Sequence, residues 1–172
     1  VRVAVLGRSQ EAMVRGFRRV QERLPFPITH LHPDNGSEFF NDHLIRYFGE
    51  EVTGLRLSRS RPYRKNDNRF VEQKNSTLVR AYVGYQRLDN GKQATALNTL
   101  YDQLWVYYNL FQPVLHMVGK DVVGGKLHRK WDRAQTPYQR LLASGILSGE
   151  QKARLATIYA QSNPRQLRRD IY

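Results

Sequence analysis

The chain contains no cysteine, which excludes disulfide bonds and zinc sites built from thiolates. It has no run of 18 or more apolar residues, so the sequence predicts no transmembrane helix. The first residues also lack the basic and then apolar layout of a signal peptide. We therefore expect a soluble, cytoplasmic protein that has no membrane partner.

Acidic residues are scarce as well, since 15 Asp and Glu stand against 28 Lys and Arg, for a formal net charge of +13. A charge of this size favours an anionic partner such as nucleic acid. Binding to a ribosome or to a membrane surface would also fit the charge alone. A length of 172 residues allows one well-buried domain with an appended segment.

Strands and helices are predicted to alternate in the first half of the chain. Residues 1–5 alternate in polarity like an edge strand, and a helix that Ser9 can cap follows them. Further strands are predicted at 28–31 and 52–57. A short helix that Asn41 can cap lies between these strands, and its inward residues are predicted to be Leu44, Ile45 and Phe48.

Helices dominate the prediction after residue 66. Asn66 or Asp67 can cap a helix whose apolar stripe is Val71, Leu78, Val79, Tyr82 and Val83. A second long helix ends before Pro113, with a stripe formed by Leu97, Leu100, Tyr101, Leu104, Tyr108 and Phe111.

The rest of the chain is predicted to be a connector followed by two short helices. Residues 119–130 are rich in Gly and basic residues and show no clear period. Helices are predicted at about 137–144 and 148–161, the first capped by Thr136 with proline at its first position. We expect two parts, residues 1–90 and a mainly helical extension at 91–172.

Two carboxylates are the candidate metal ligands. Asp34 follows a predicted strand and precedes Asn35-Gly36, whose residue types favour a sharp turn, and Glu72 lies near the start of a helix with Asn75 one turn later. Paired carboxylates beside a cationic strip suit a divalent cation that acts on a polyanion. Alternatively, Asp34 is only a turn former and Glu72 only favours the helix dipole.

Eight basic residues against two acidic ones make residues 56–80 the most basic part of the core. Residues 59–67 contain Pro62 and no periodicity, which predicts a loop. The candidate contacts to DNA phosphates are Arg59, Arg61, Arg64, Lys65, Lys74 and Arg80. The alternative is that Lys74 and Arg80 are only solvated charges on an exposed helix face.

His30 and His32 share one face of the strand predicted before Asp34. Two histidines at this spacing suggest a metal site. Without Cys or a third clustered ligand, we interpret them instead as residues that pack or line a cleft.

The strings Asp34-Asn35-Gly36-Ser37-Glu38-Phe39 and Glu72-Gln73-Lys74-Asn75 resemble the DDE transposases and retroviral-type integrases, specifically those of bacterial insertion sequences. Tyr108-Asn109 with Gln112-Pro113 is similar to that family's Tyr-Asn…Arg-Pro segment, although Gln replaces the usual Arg. Thr136-Pro137-Tyr138 is similar to its Thr-Pro-Tyr segment. The resemblance extends to about Leu142.

This resemblance implies an RNase H-like fold, a mixed α/β sheet with flanking helices. It implies an Asp, Asp and Glu triad that binds two Mg²⁺ or Mn²⁺ ions, with Asp34 as the second acid and Glu72 as the third. The only acids before Asp34 are Glu11 and Glu22, both on the first predicted helix, so no residue here can be assigned as the first acid. We expect the first strands and that Asp to precede Val1 in a longer polypeptide.

The resemblance also implies function. It predicts metal-dependent cleavage and strand transfer of transposon-end and target DNA, by a protein that is a homo-oligomer at full length, with this chain alone inactive. One alternative is a nucleic-acid-binding fragment without catalysis. A third is a basic scaffold for structured RNA.

Overall fold

The computed structural model describes residues 1–7, 9–32, 46–47, 49, 54–58 and 69–172, with the backbone alone at 69–71. These residues form helices and two small two-stranded sheets, so the expected mixture of helix and sheet is confirmed at that level. They group into two compact units, Val1–Asn98 and Thr99–Tyr172. The division predicted between residues 90 and 91 stays a prediction.

The first helix, α1, spans Gln10–Arg23 as its sequence predicts. Ser9 Oγ accepts a hydrogen bond from the Ala12 N–H at 3.2 Å, which satisfies one of the donors that a helix start leaves without a partner. Ala12 is buried.

The strand predicted for residues 1–5 is wrong, because this segment joins no sheet among the described residues. The side chain of Asn98 takes the place of a neighbouring strand at one residue. Asn98 Oδ1 accepts from the Ala4 N–H at 3.0 Å, and Asn98 Nδ2 donates to the Ala4 carbonyl at 2.9 Å. A carboxamide has both the donor and the acceptor that this needs. The segment runs close to α1, since a Cβ on Gly16 would lie 3.1 Å from Val5 Cγ1.

Two short strands form a parallel pair. Strand β1, His30–Leu31, pairs with β2, Arg56–Leu57, in the register His30 with Arg56 and Leu31 with Leu57. Both lie within the ranges that the sequence predicts. Leu31 packs near the buried Tyr47, together with Met13, Val14, Phe17 and Leu55. The inward residues predicted beside Tyr47, Leu44, Ile45 and Phe48, lie outside the described residues.

The helix predicted after Asp67 is present and is named α2. It consists of Arg69–Asn75, a widened π-helical turn at Ser76–Arg80, and Ala81–Val83. It ends at Gly84, whose positive φ of 70° suits a residue without a side chain. Leu78 and Val79 are half-buried, whereas Glu72, Lys74 and Asn75 are exposed, as their positions relative to the apolar stripe predict.

The long helix α3 spans Gly91–Val106 and continues as a π-helical turn, Tyr107–Phe111, which ends before Pro113 as predicted. Asn90 caps it, because its Oδ1 accepts from the Gln93 N–H at 3.0 Å. Leu104 is fully buried. The widened turn also buries Leu110, which the regular helical stripe omits, because such a turn shifts the angular positions of the residues after it.

Residues 119–130 are not a connector but most of an antiparallel hairpin. Strand β3, Met117–Val123, pairs with β4, Lys126–Trp131. The turn between them is Gly124-Gly125, with φ values of 56° and 76°. Two positive φ values in a two-residue loop match the twist of hairpin strands, and glycine adopts them without strain.

Three helices complete the second unit. Helix α4, Pro137–Ala143, and α5, Gly149–Gln161, agree with the prediction and begin with full capping boxes at Thr136 and Ser148. A third helix, α6 at Pro164–Ile171, was not predicted, although Asn163 caps it ahead of a proline at its first position.

Candidate active site

The structure describes only part of the predicted site. Asp34 and its supporting residues Asn35 and Gly36 lie outside the described residues. The predicted loop contacts to DNA also lie outside them, namely Arg59, Arg61, Arg64 and Lys65. The described members are Glu72, Lys74, Asn75 and Arg80, all on α2 and all exposed.

Glu72 lies in the first turn of α2, and its side chain is exposed to solvent. Asn75 is three residues further on and lies on the same side of the helix. An exposed carboxylate has oxygen atoms that a divalent cation can reach without crossing the core. The position of Glu72 is thus compatible with the ligand role that its motif predicts, and the role itself stays a prediction.

The parallel pairing of β1 and β2 determines where the two predicted acidic segments start. Parallel strands have their carboxyl ends at the same edge of a sheet, and that edge is where ligands bind in open α/β folds. Asp34 follows β1 by three residues in the sequence, and β2 precedes the segment that leads into α2 and Glu72. The chain therefore leaves both strands at one edge. The separation of the Asp34 and Glu72 carboxylates stays a prediction.

A His–Ser–His cluster lies at this edge. Ser58 Oγ is 2.6 Å from His30 Nε2 and 2.7 Å from His32 Nδ1, and the two rings meet edge to face with centroids 6.4 Å apart. Both histidines are exposed. A hydroxyl has one proton, so when both rings are neutral one of them accepts from Ser58 while the other donates to it. The cluster links the end of β1 to the residue after β2.

This cluster refines our interpretation of the histidines. They share a face, as predicted, but they are joined through a hydroxyl rather than packed in a core. Sequence reasoning missed Ser58, because its role depends on strand pairing across 28 residues of sequence.

Arg80 contacts the end of its own helix. Its Nη1 donates to the Gly84 carbonyl at 3.3 Å, and its guanidinium carbon lies 5.0 Å from the centre of the Tyr85 ring. The ring is highly exposed, so it holds the cation at the surface without burying it. Arg80 remains accessible to an anion such as a phosphate.

Within the ranges that the structure describes, no group of three His, Asp or Glu side chains is placed to hold a metal ion. Asp34, the other predicted ligand, falls outside those ranges. Glu72 is the described member of the expected pair, and its exposed oxygen donors fit Mg²⁺ or Mn²⁺ by chemical type. Nor does any helix in the described part of the chain have the length and apolar character needed to cross a membrane.

No protein-family model matches the chain. A protein of Sinorhizobium fredii described as "Uncharacterized protein y4rM" is 35% identical to it over 138 residues. The aligned region covers 80% of this chain and 39% of that protein, so the chain spans about two fifths of the length of this relative.

Proposed function

We propose that the chain is part of an RNase H-like polynucleotidyl transferase that cleaves and joins DNA strands during transposition. The observation that carries the proposal is the parallel pairing of β1 with β2. Because of this pairing, the segments that contain Asp34 and Glu72 begin at the same edge of the sheet. Both segments carry the sequence strings that resemble DDE transposases. The net charge of +13 supports a polyanionic substrate.

Each acidic residue has a defined role in this proposal. The Asp34 and Glu72 carboxylates would hold Mg²⁺ or Mn²⁺ together with a further Asp that the family resemblance requires. When bound, two such ions activate the attacking oxygen and stabilise the leaving oxygen of a phosphodiester. Asn35, Gly36 and Asn75 would support the two acids, the first two through the turn that the sequence predicts after Asp34.

The basic residues position the DNA. Lys74 and Arg80 are exposed on the same helix as Glu72, and we assign them to phosphates of the bound DNA. Arg59, Arg61, Arg64 and Lys65 precede that helix and are assigned the same task. Contacts of this kind give affinity with little sequence preference. We propose that the protein acts as a homo-oligomer, because two DNA ends have to be brought to one target.

The His–Ser–His cluster acts as a positioning element for Asp34. His32 precedes Asp34 by two residues in the sequence, and its bond to Ser58 fixes the backbone at the point where the chain leaves the sheet. Ser58 itself is held by a backbone hydrogen bond from its N–H to the Leu31 carbonyl at 3.1 Å. A fixed departure point reduces the freedom of the residues that follow it.

A nicking assay tests the proposal. The protein as its gene encodes it is incubated with Mg²⁺ or Mn²⁺ and with duplex DNA taken from both flanks of that gene. We expect Glu72→Gln and Asp34→Asn each to reduce the nicking rate by at least about a thousandfold. Each substitution removes a carboxylate ligand of the metal ions that stabilise the charge of the transition state. Glu150→Gln is the matched control, since Glu150 is also an exposed acid in the first turn of a helix. Nicking that survives Glu72→Gln would contradict the proposal.

A second function, nucleic-acid binding without catalysis, is favoured by one observation. The sequence before Asp34 contains two acids, Glu11 and Glu22, and both lie on α1. Glu11 Oε2 is 3.7 Å from Arg15 Nη1 in an exposed ion pair. Neither acid is on a strand, where the first triad member belongs. Tight DNA binding with no metal-dependent cleavage by the gene's full product would support this second function.

A further inference from the structure

The β3–β4 hairpin is a ribbon whose side chains are exposed on both faces. All of its residues except Gly119 are exposed, including Val122 at 71% and Trp131 at 52%. A two-stranded ribbon has too little apolar contact to be stable by itself, so it needs support at one end. The contacts at its base supply that support.

Arg140 of α4 holds the base of the hairpin. Its guanidinium donates to both carboxylate oxygens of Asp132, at 2.6 and 3.2 Å, and to the carbonyls of Val114 and Arg133 at 2.9 and 3.2 Å. His116, which precedes β3, and Asp132, which follows β4, are also joined to each other by hydrogen bonds. The base is thus fixed while the arm stays exposed.

The two acids of this region are already neutralised. Asp132 pairs with Arg140, and Asp121 pairs with Lys130 at 2.6 Å on one face of the ribbon. The opposite face is named the basic face and is defined by Lys120, Val122, Leu127 and Arg129. Within the described part of the chain, no ion pair joins Lys120 or Arg129 to a carboxylate.

Lys120 and Arg129 are directly opposite each other in the register of the ribbon. Like charges at directly opposite positions destabilise a strand pair, so this pair is unfavourable in the isolated protein. An anion bound between the two side chains would remove the repulsion. A second basic face cannot supply that anion, because two identical basic faces repel each other.

We propose that the hairpin is a DNA-binding ribbon that enters the major groove of duplex DNA, with Lys120 and Arg129 contacting the phosphates along its edges. Val122 and Leu127, exposed on the same face, would meet base edges such as the thymine methyl group. The inference takes DNA as its partner from the proposed function but does not depend on catalysis.

The dimensions of the ribbon favour DNA over RNA. Two strands lie about 4.8 Å apart, and a two-stranded ribbon fits the B-form major groove, which is about 12 Å wide. The major groove of A-form RNA is deep and narrow, so side chains cannot read it. A ribbon that binds through this groove should therefore prefer duplex DNA to duplex RNA.

The test compares two variants that lose the same charge. Lys120→Gln/Arg129→Gln removes the bases of the basic face, and Arg165→Gln/Arg169→Gln removes two exposed bases from α6. Binding to a random-sequence DNA duplex is measured over a range of salt concentrations with the protein as its gene encodes it. The hairpin variant should lower the salt slope by about 1.8 and weaken binding by up to about sixtyfold at 0.1 M salt, at about 0.9 per phosphate contact.

The control variant should change the slope by much less and should keep the wild-type unfolding temperature, because Arg165 and Arg169 are exposed. The hairpin variant should unfold at the wild-type temperature or slightly above it, because it removes the repulsion between Lys120 and Arg129. Protein bound to DNA should also protect guanine N7, which faces the major groove, from methylation. An unchanged slope in the hairpin variant, an equal loss in the control, or equal affinity for duplex RNA would overturn the inference.

The outcomes separate this inference from the proposed function. If the wild-type protein nicks DNA and the hairpin variant binds DNA normally, the DNA-binding role of the hairpin is refuted and the transferase proposal stands. Protein that binds through the hairpin but never nicks DNA refutes the transferase and leaves the ribbon.

Discussion

Arg140 and Asp132 form a bidentate ion pair, in which Arg140 Nη1 lies 2.6 Å from Asp132 Oδ2 and Arg140 Nη2 lies 3.2 Å from Asp132 Oδ1. Both side chains are about one fifth to one quarter exposed, at 21% and 24%. The same guanidinium also binds the backbone carbonyls of Val114, which precedes β3, and Arg133, which follows β4. Arg140 therefore joins α4 to both strands at the base of the hairpin.

This pair predicts a specific dependence of stability on acid. Hydrogen bonds from the Arg140 side chain and then from the His116 N–H hold the pKa of Asp132 below its usual range. A carboxyl group with a lowered folded-state pKa stabilises the fold above its unfolded pKa, which is about 3.9, and loses this contribution as pH falls through the folded pKa. The unfolding temperature should therefore drop as pH falls below about 4.

Asp132→Asn should lower the unfolding temperature at pH 7 and flatten its decline below about pH 4, as measured by circular dichroism. Asp170→Asn is the control, because Asp170 is exposed on α6 and bonds only to Gln166 among the described residues. An Asp132→Asn variant with the wild-type acid profile would show that this carboxylate is not the source.

Ser58 provides a second prediction, for the cluster at the edge of the parallel strands. Ser58→Ala removes the oxygen that both His30 and His32 contact, and we expect it to lower the free energy of unfolding by about 0.5–1.5 kcal/mol in urea titrations. It should also reduce DNA nicking, since the departure point toward Asp34 is loosened.

Ser58→Thr keeps a hydroxyl at the same position and should restore both properties in large part. If Ser58→Ala lowers stability but leaves nicking at the wild-type rate, the cluster is structural and does not position Asp34.

Thr136 tests the start of α4, the helix that carries Arg140. Its hydroxyl accepts from the Gln139 N–H at 3.1 Å, and the Gln139 side chain accepts from the Thr136 N–H at 2.9 Å. Thr136→Ala should cost about 1 kcal/mol of unfolding free energy, measured by denaturant titration. Thr157→Ala should be neutral or slightly stabilising, because Thr157 is exposed inside a helix and, among the described residues, bonds only back to Ala153.

Local signals explain which elements could be predicted from the sequence. Helix α1 has a capping serine and a proline stop, and α4 and α5 have N-caps, so a few neighbouring residues determine their boundaries. The hairpin was missed because both of its faces are exposed, which removes the alternation of apolar and polar residues. The strand expected at residues 1–5 was wrong because one distant side chain, Asn98, replaces a sheet neighbour.

The candidate site follows the same division. The motif strings indicate Asp34 and Glu72, and helical periodicity correctly places Glu72, Lys74 and Asn75 on an exposed surface. Contacts between distant parts of the chain could not be predicted in this way. Ser58 meets the two histidines only because β1 and β2 pair in parallel, and Arg80 stacks on Tyr85 only because Gly84 ends the helix between them.

Divalent-ion binding is the most direct test of the central claim, that Asp34 and Glu72 belong to one metal centre. Mn²⁺ affinity is measured by electron paramagnetic resonance without DNA, for the wild type, Asp34→Asn, Glu72→Gln, the double variant and the control Glu150→Gln. The account predicts that each single variant weakens binding by at least about tenfold and that the double variant is little weaker than the worse single one, because two ligands of one site act as a unit. Unchanged affinity in either single variant, or losses that simply add in the double variant, would contradict it.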